Sequence, residues 1–230
     1  MSLERSAAAL LILLPAAFNV SFFLLARRFD YPDILRQPTD VVLRRFDQGG
    51  VGLKLLWFCF MLTAVLFAPL VVVLGQVMQS DHAAVLPTTV ALGVLAAAVQ
   101  FLGLARWPFL VPHLARTYLD PGSSEAIRSS VTITFESLHR YLGVGLGECL
   151  GYLLTGAWTV LTGVAMLDSA DFAPWLGVLG ILIGLLLAIG SLEFVGGHEE
   201  QGWKLAGVLV PITYVAWSLW LVTAGIVLLV

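Results

Sequence analysis

The sequence predicts an all-α, polytopic membrane protein with six transmembrane helices and short interfacial amphipathic helices. The composition is the first reason: of 230 residues, 59% are hydrophobic, only 12% are charged, and the mean hydropathy is +0.94. A water-soluble chain of this size cannot hide so much apolar surface in one core. The second reason is that six stretches reach the length of about 20 apolar residues that crosses a bilayer. They cover residues 7–26, 51–75, 85–105, 141–167, 173–193 and 205–230.

The Lys and Arg residues predict how the chain is oriented. All of them except Arg5 fall in or beside three connections, which follow the first, third and fifth apolar stretches. The other two connections, near Asp81 and Asp168, hold none. Cationic connections stay in the cytoplasm. We therefore expect a multi-pass membrane protein with both termini outside and the longer loops cytoplasmic.

The first stretch and its following connection predict a spanning helix and an interfacial helix. The apolar run at 7–26 is longer than the core of a secretory signal, and Arg27 and Arg28 close it, so we expect it to be retained. In the connection, residues 38–49 set apolar side chains against charged ones at helical spacing. This pattern is typical of a short helix lying on the inner leaflet.

The apolar run that contains the third stretch is too long to be one straight transmembrane helix. Apolar residues continue from Ala83 to Ala115 with few interruptions. At 1.5 Å per residue this run would measure roughly 50 Å, against a hydrocarbon core of about 30 Å. Pro108 and Pro112 predict a break that leaves a short piece at the interface.

Residues 121–140 predict a second interfacial helix that runs into the fourth span. Apolar residues recur there at spacings of three and four, from Ile127 through Val131 and Phe135 to Leu142. Asp120 is the expected N-cap, and Pro121 suits the first helical position.

Two stripes mark the fourth span. Gly143, Gly147 and Gly151 form a small-xxx-small pattern, which favours close helix packing and would suit oligomerisation. The second stripe is polar and consists of Glu148, Tyr152, Thr155, Thr159 and Thr162. A carboxyl group at the bilayer centre costs about 2.5–3.5 kcal/mol, so this face should avoid lipid.

Glu148 needs a partner in that environment. A carboxyl group stripped of water either finds a cation or keeps its proton. Arg106, at the cytoplasmic end of the third span, is the expected cation by depth, and Arg140 is the alternative.

The sixth span contains a proline and inward-facing aromatic residues. Trp217 lies about 20 Å of helix from the C-terminal residue, too deep for the outer aromatic belt. A helix bent at Pro211, with Tyr214 and Trp217 facing inward, would wall a cavity. We expect all 230 residues to form a single transmembrane domain.

Four segments carry a family resemblance: FDYPDILRQPTDVVLRRF, RWPFLVPHLARTY, FESLHRYLGVGLGECLGYLLTGAWT and AWSLWLVTAGIVLL. They lie in the same order along nearly the whole chain, and with them the sequence resembles a bacterial integral-membrane family, domain-of-unknown-function family 4386. The resemblance implies a compact, single-domain, multi-span protein of a bacterial inner membrane. It implies no catalytic residues and no particular activity.

Polar groups from several spans map to one level near the inner boundary. They are Arg106, His113, Glu136, His139, Glu148 and Glu193, and Tyr152, Tyr214 and Trp217 would line the space above them. Together they predict a polar vestibule that opens to the cytoplasm. The leading hypothesis is a non-catalytic protein that binds a small molecule, a lipid or a proton-coupled solute there, for transport or sensing.

Two other functions remain open. One is a membrane-embedded enzyme acting on a lipid-soluble substrate, with Glu148 or Glu136 as general acid or base and His139 as base or metal ligand. The other is a structural or accessory subunit of another membrane protein. The sequence favours a non-enzyme over an enzyme.

No cofactor is predicted, and one divalent metal ion is the alternative. Glu136 and His139 have the i, i+3 spacing of di-iron bundles, but those sites need two such pairs and two further glutamates. The two cysteines lack the spacing of a thiolate metal site. No basic stripe interleaved with aromatics occurs, so nucleic acid is not an expected partner. The expected partners are the lipid bilayer and a small-molecule or lipid ligand.

Overall fold

The computed structural model describes residues 2–78, 84–198 and 203–230. It is 87% helical, and the described residues contain no strand. Six helical segments within them are long and apolar enough to cross a membrane. The predicted all-α class and the six spans are confirmed.

The helices follow the predicted order. The first half of the chain forms α1 (Leu3–Phe29), a 3-10 turn (Asp33–Arg36), α2 (Thr39–Gln48), α3 (Gly50–Val77), α4 (Leu86–Phe109) and α5 (Val111–Leu119). The second half forms α6 (Glu125–Leu138), a π-helix (His139–Leu150), α7 (Gly151–Leu167), α8 (Pro174–Gly190), a 3-10 turn (Ser191–Phe194) and α9 (Lys204–Val227).

The break in the third span is where the prolines predict it. The helix α4 ends at Phe109, and α5 begins at Val111 after a single intervening residue. The cap predicted for α6 is wrong, because Ser124 caps this helix by accepting a hydrogen bond from the Ile127 amide at 3.3 Å. Asp120 instead accepts one from the Gly122 amide at 2.7 Å, which closes a turn before the helix.

The start of the fourth span is a π-helix, which the 3.6-residue wheel did not predict. It joins α6 to α7, so the chain is helical without interruption from Glu125 to Leu167. Its glycines lie against α4, where an added Cβ at Gly147 would stand 3.1 Å from the Cα of Gly103. π-Turns within helices are rare and concentrate at functional sites.

The three connection helices pack together at one end of the bundle. The Thr39 hydroxyl at the start of α2 donates to Oε1 of Glu136 on α6 at 2.9 Å. Beneath them lies an aromatic core in which Trp57 and Trp107 stack with ring centroids 4.3 Å apart. This layer holds the ends of α1, α3 and α4 in register where the candidate site begins.

At the opposite side of the bundle, α7 and α8 pack along their glycines. A Cβ added to Gly156 would lie 2.5 Å from the Gly184 carbonyl oxygen, and one added to Gly163 would lie 2.6 Å from the Gly177 oxygen. The two backbones are therefore in direct contact, a packing mode that small residues permit in membranes.

Candidate functional site

Arg106 is a buried guanidinium at the end of α4, with 7% of its surface exposed. Its Nη1 donates to the Gly103 carbonyl oxygen, and its Nη2 lies 3.1 Å from Nδ1 of His139. Because arginine can only donate, His139 accepts at Nδ1 and carries its proton on Nε2. The guanidinium carbon also lies 5.4 Å from the centre of the Trp107 ring, within the range of a cation–π interaction.

The π-helix makes room for this guanidinium. A Cβ added at Gly143 would stand 2.5 Å from Nη2 of Arg106, so the arginine lies directly on bare backbone. The next two glycines of the stripe face the same helix, with Gly147 against Gly103 and Gly151 against the Gln100 side chain. The stripe thus packs within the chain, and a role in oligomerisation stays a prediction.

Arg106 and Glu148 interact electrostatically but do not form the close ion pair that the sequence suggested. In the described part of the chain, the hydrogen bonds of the arginine go to His139 and Gly103, and no carboxylate lies within ion-pair distance of it. Its Nε is buried without a hydrogen-bond partner there. Because Gly143 has no side chain, the guanidinium lies against the backbone of the π-helix, in contact with His139 and not with Glu148.

Glu148 lies in a crevice between helices. Protein atoms surround it closely, as they do Tyr31, Tyr152 and Tyr214. All four side chains nevertheless keep part of their surface accessible. Each of these side chains is closely surrounded by protein and still partly accessible, which is the pattern of groups around a recess between helices rather than of groups that project into lipid. We call this space the tyrosine crevice, defined by Phe18, Phe22, Tyr31, Glu148, Tyr152 and Tyr214.

Aromatic rings from four parts of the chain form the crevice wall. Tyr152 on α7 and Tyr214 on α9 meet with centroids 5.3 Å apart. Tyr214 also stacks on Phe18 of α1 at 5.9 Å, and Phe22 meets Tyr31 edge-on at 5.5 Å. Such contacts stabilise the wall by about 0.5–1.5 kcal/mol each beyond simple burial.

The polar groups of the crevice have no hydrogen-bond partners among the described residues. This holds for the Glu148 carboxyl and for the hydroxyls of Tyr31, Tyr152 and Tyr214. Burial and the nearby Glu148 carboxylate raise the pKa of the Tyr31 hydroxyl, whereas Arg106 lowers it. Tyr31 therefore remains protonated and available as a donor.

Glu193 lies near Glu148 and Tyr152. It is half-buried in the 3-10 turn after α8, interacts electrostatically with Glu148 and Tyr152, and is in turn influenced by Arg36. The Tyr152 ring contacts Phe194, the neighbour of this glutamate, at 5.6 Å.

Below the crevice, the polar stripe of the fourth span faces the interior. Thr155, Thr159 and Thr162 are buried. The Gln100 amide donates to the Thr155 hydroxyl at 2.8 Å, and the buried Trp217 indole donates to the Thr159 hydroxyl at 3.0 Å. Trp217 is thus a structural contact beneath Tyr214, with which its ring is in edge-on contact at 6.1 Å.

The remaining predicted site residues lie apart from the crevice. His113 is exposed on α5, and Glu136 is exposed and bonded to Thr39. Glu136 and His139 line a shallow surface groove of about 510 Å³ together with Ser137, Arg140 and Val144. His139 thus links this groove to the buried Arg106.

The described residues do not bring metal ligands together. Within 2–78, 84–198 and 203–230, no group of three or more His, Cys, Asp or Glu side chains is placed to hold a metal ion. Glu136 and His139 have separate partners, Thr39 and Arg106. A metal ion therefore remains an untested alternative that lacks a third ligand in this part of the chain.

Three wall residues were not singled out from the sequence. The sequence indicates only that Phe18 and Phe22 are apolar residues of a spanning helix and that Tyr31 belongs to a turn. Phe18 and Phe22 are one helical turn apart, so a search for aromatic pairs on one face would have found them. No local sequence pattern predicts that Tyr31 faces inward, because its position depends on the path of the chain after α1.

Comparison with known proteins gives one match. No significant match was found among curated proteins or among solved structures. A family model described as a domain of unknown function (DUF4386) matches residues 6–225, close to the full chain. The resemblance seen in the sequence is confirmed, and the chain belongs to the DUF4386 family.

Proposed function

We propose that this protein binds a small, partly apolar molecule in the tyrosine crevice, for transport or sensing across the bacterial inner membrane. The unpartnered polar groups of the crevice carry the proposal. Polar groups deep in a protein are almost always hydrogen-bonded, and these four, which have no protein partner, need one from water or from a ligand. A carboxyl and three tyrosine hydroxyls that share one accessible space therefore call for an occupant that supplies their partners.

The wall indicates what kind of occupant this is. Ligand sites are mostly apolar and aromatic, with a few convergent polar groups that fix orientation. The crevice has this composition, with aromatic faces from α1, α7 and α9 around the Glu148 carboxyl. An apolar molecule with at least one hydrogen-bonding group matches it.

The predicted topology places the mouth of the crevice on the cytoplasmic side. Phe18, Phe22 and Tyr31 of the crevice pack against the layer of α2, α5 and α6, whose connections hold most of the Arg residues. Under this proposal the ligand enters from the cytoplasm or from the inner leaflet.

Photolabelling tests the proposal. Benzophenone is a neutral aromatic ketone with one acceptor oxygen, and on illumination it cross-links to whatever surrounds it. With purified full-length protein in lipid nanodiscs, we expect labelled peptides to contain Phe18, Phe22, Tyr152 or Tyr214, in addition to lipid-facing positions. A Tyr152→Phe, Tyr214→Phe double variant should lose crevice labelling.

The matched control is Tyr141→Phe, because Tyr141 is 64% exposed and is not one of the crevice residues. Its labelling pattern should equal that of the unmodified protein. Labelling confined to lipid-facing residues, at every benzophenone concentration tried, would contradict the proposal.

A further inference from the structure

The charges around the tyrosine crevice narrow the chemical class of its ligand. Five ionisable groups interact electrostatically with Glu148: Arg106 on α4, Glu193 after α8, and the hydroxyls of Tyr31, Tyr152 and Tyr214. Arg106 is occupied by His139 and Gly103 and is closed off, with 7% of its surface exposed. Glu148 and Glu193 keep part of their surface accessible. A molecule in the crevice therefore meets carboxylates before it meets the cation.

The aromatic wall favours the same sign of charge. The faces of aromatic rings are electron-rich, and cations within about 6 Å of a ring centre are attracted to them. Rings that surround a small space from several sides bind ammonium groups whose charge is spread over apolar substituents. Here Tyr152 and Tyr214 meet edge-on, with Phe18 stacked on the second of them.

Glu148 stands on the same wall. It precedes Tyr152 by four residues and interacts electrostatically with Tyr31, Tyr152 and Tyr214. No ion pair to this carboxyl exists among the described residues, so it has no counter-ion at close range. A bound cation would supply the counter-charge that Arg106 does not.

We propose that the ligand of the tyrosine crevice is an organic cation with apolar or aromatic substituents, held by Glu148 and by the faces of Tyr152, Tyr214 and Phe18. This inference rests on the proposed function, because it assumes that the crevice is a binding site. It adds the sign of the ligand charge and assigns the counter-ion to Glu148.

Two ions of equal shape and opposite charge test the sign. Tetraphenylphosphonium and tetraphenylborate each carry four phenyl rings, so an aromatic wall alone does not separate them. We expect tetraphenylphosphonium to displace benzophenone from the crevice at a concentration at least ten times lower than tetraphenylborate, after partition into empty nanodiscs is subtracted. Equal or stronger displacement by the borate overturns the inference.

A variant tests the counter-ion. Glu148→Gln keeps the size of the side chain and removes its charge, so it should raise the concentration of tetraphenylphosphonium needed for displacement at least tenfold. Glu136→Gln is the matched control, because Glu136 is an exposed glutamate outside the crevice and should leave displacement unchanged. Gel filtration checks the folding of each variant, and the comparison of the two ions on unmodified protein decides the matter if Glu148→Gln does not fold.

The two proposals fail in different ways. If benzophenone labels the crevice and the phosphonium ion does not displace it, the cation inference is wrong and the binding site remains. If benzophenone never labels the crevice, the proposed function itself is wrong.

Discussion

At the scale of single residues, Arg106 shows how this bundle accommodates a charge without a close carboxylate. Removing a charge from water costs several kcal/mol unless hydrogen bonds replace the lost hydration. Here the replacements are the Gly103 carbonyl, the His139 ring and the face of Trp107. Each depends on the guanidinium lying flat on Gly143, so a residue without a side chain determines the position of the charge.

We predict that Gly143→Ala destabilises the protein by about 1–3 kcal/mol, the usual cost of overpacking. The new methyl group would stand 2.5 Å from Nη2 of Arg106 and push the guanidinium from His139. The free energy of unfolding, from detergent titration in mixed micelles, measures the effect. Gly145→Ala is the control, because its nearest neighbour would lie 3.6 Å away and it should be neutral or mildly stabilising.

A second prediction concerns the hydroxyls that face α9. Thr159→Val removes the acceptor of the buried Trp217 indole, which should lower the free energy of unfolding by about 1–3 kcal/mol. Thr162→Val is a matched change one turn away. The Thr162 hydroxyl is buried without a hydrogen-bond partner in the described chain, so its loss should be neutral or stabilising. Equal destabilisation by both variants would show that the Trp217 hydrogen bond contributes nothing.

At the scale of helices, glycine contacts decide which elements lie together. The π-helix approaches α4 at Gly147 and Gly103, and α7 approaches α8 at Gly156 and Gly184. In a membrane, where lipid tails are as apolar as the side chains, such close packing replaces the hydrophobic effect between helices. The first of these contacts positions Glu148, and the second holds α7 while its other face lines the crevice.

We predict that Gly184→Ala separates α7 from α8. The added methyl group would lie 2.5 Å from the Gly156 carbonyl oxygen, a backbone atom that cannot move alone. We expect the unfolding temperature to fall and amide exchange in both helices to rise. Gly207→Ala, on α9 with nothing within 4 Å of the new atom, should leave both readouts unchanged or slightly improved.

At the scale of the whole molecule, six helical segments are long and apolar enough to span a membrane, and the connection helices α2, α5 and α6 gather at one end of the bundle. That side carries most of the Arg residues. The positive-inside rule therefore predicts that the crevice opens toward the cytoplasm.

Cysteine labelling in intact bacterial cells tests this orientation. In a background with Cys59→Ala and Cys149→Ala, we expect a membrane-impermeant maleimide to modify Ala170→Cys from outside. Ser129→Cys on α6 should react only after permeabilisation. Both positions are exposed, so access to the reagent is the only difference. The reverse pattern would place the crevice mouth on the outer side.

The sequence by itself determined what local chemistry controls. Five of the six spans begin and end within about four residues of the predicted bounds because a bilayer selects segments by length and apolarity, which are properties of neighbouring residues; the fourth instead continues without a break from α6. The break between α4 and α5 followed from Pro108 and Pro112 for the same reason, since proline acts on its own backbone. The interior placement of Glu148 followed from the cost of a carboxyl group in lipid.

Only the tertiary structure decided how these parts meet. The π-helix, the contact of Arg106 with His139 rather than Glu148, and the inward position of Tyr31 all depend on residues far apart in the chain. Helical periodicity predicts which face of a helix is polar, but it does not predict which side chains that face contacts. Which side chains come near Glu148 depends on the depth and angle at which separate helices approach, and these are fixed by backbone contacts such as Gly103 against Gly147.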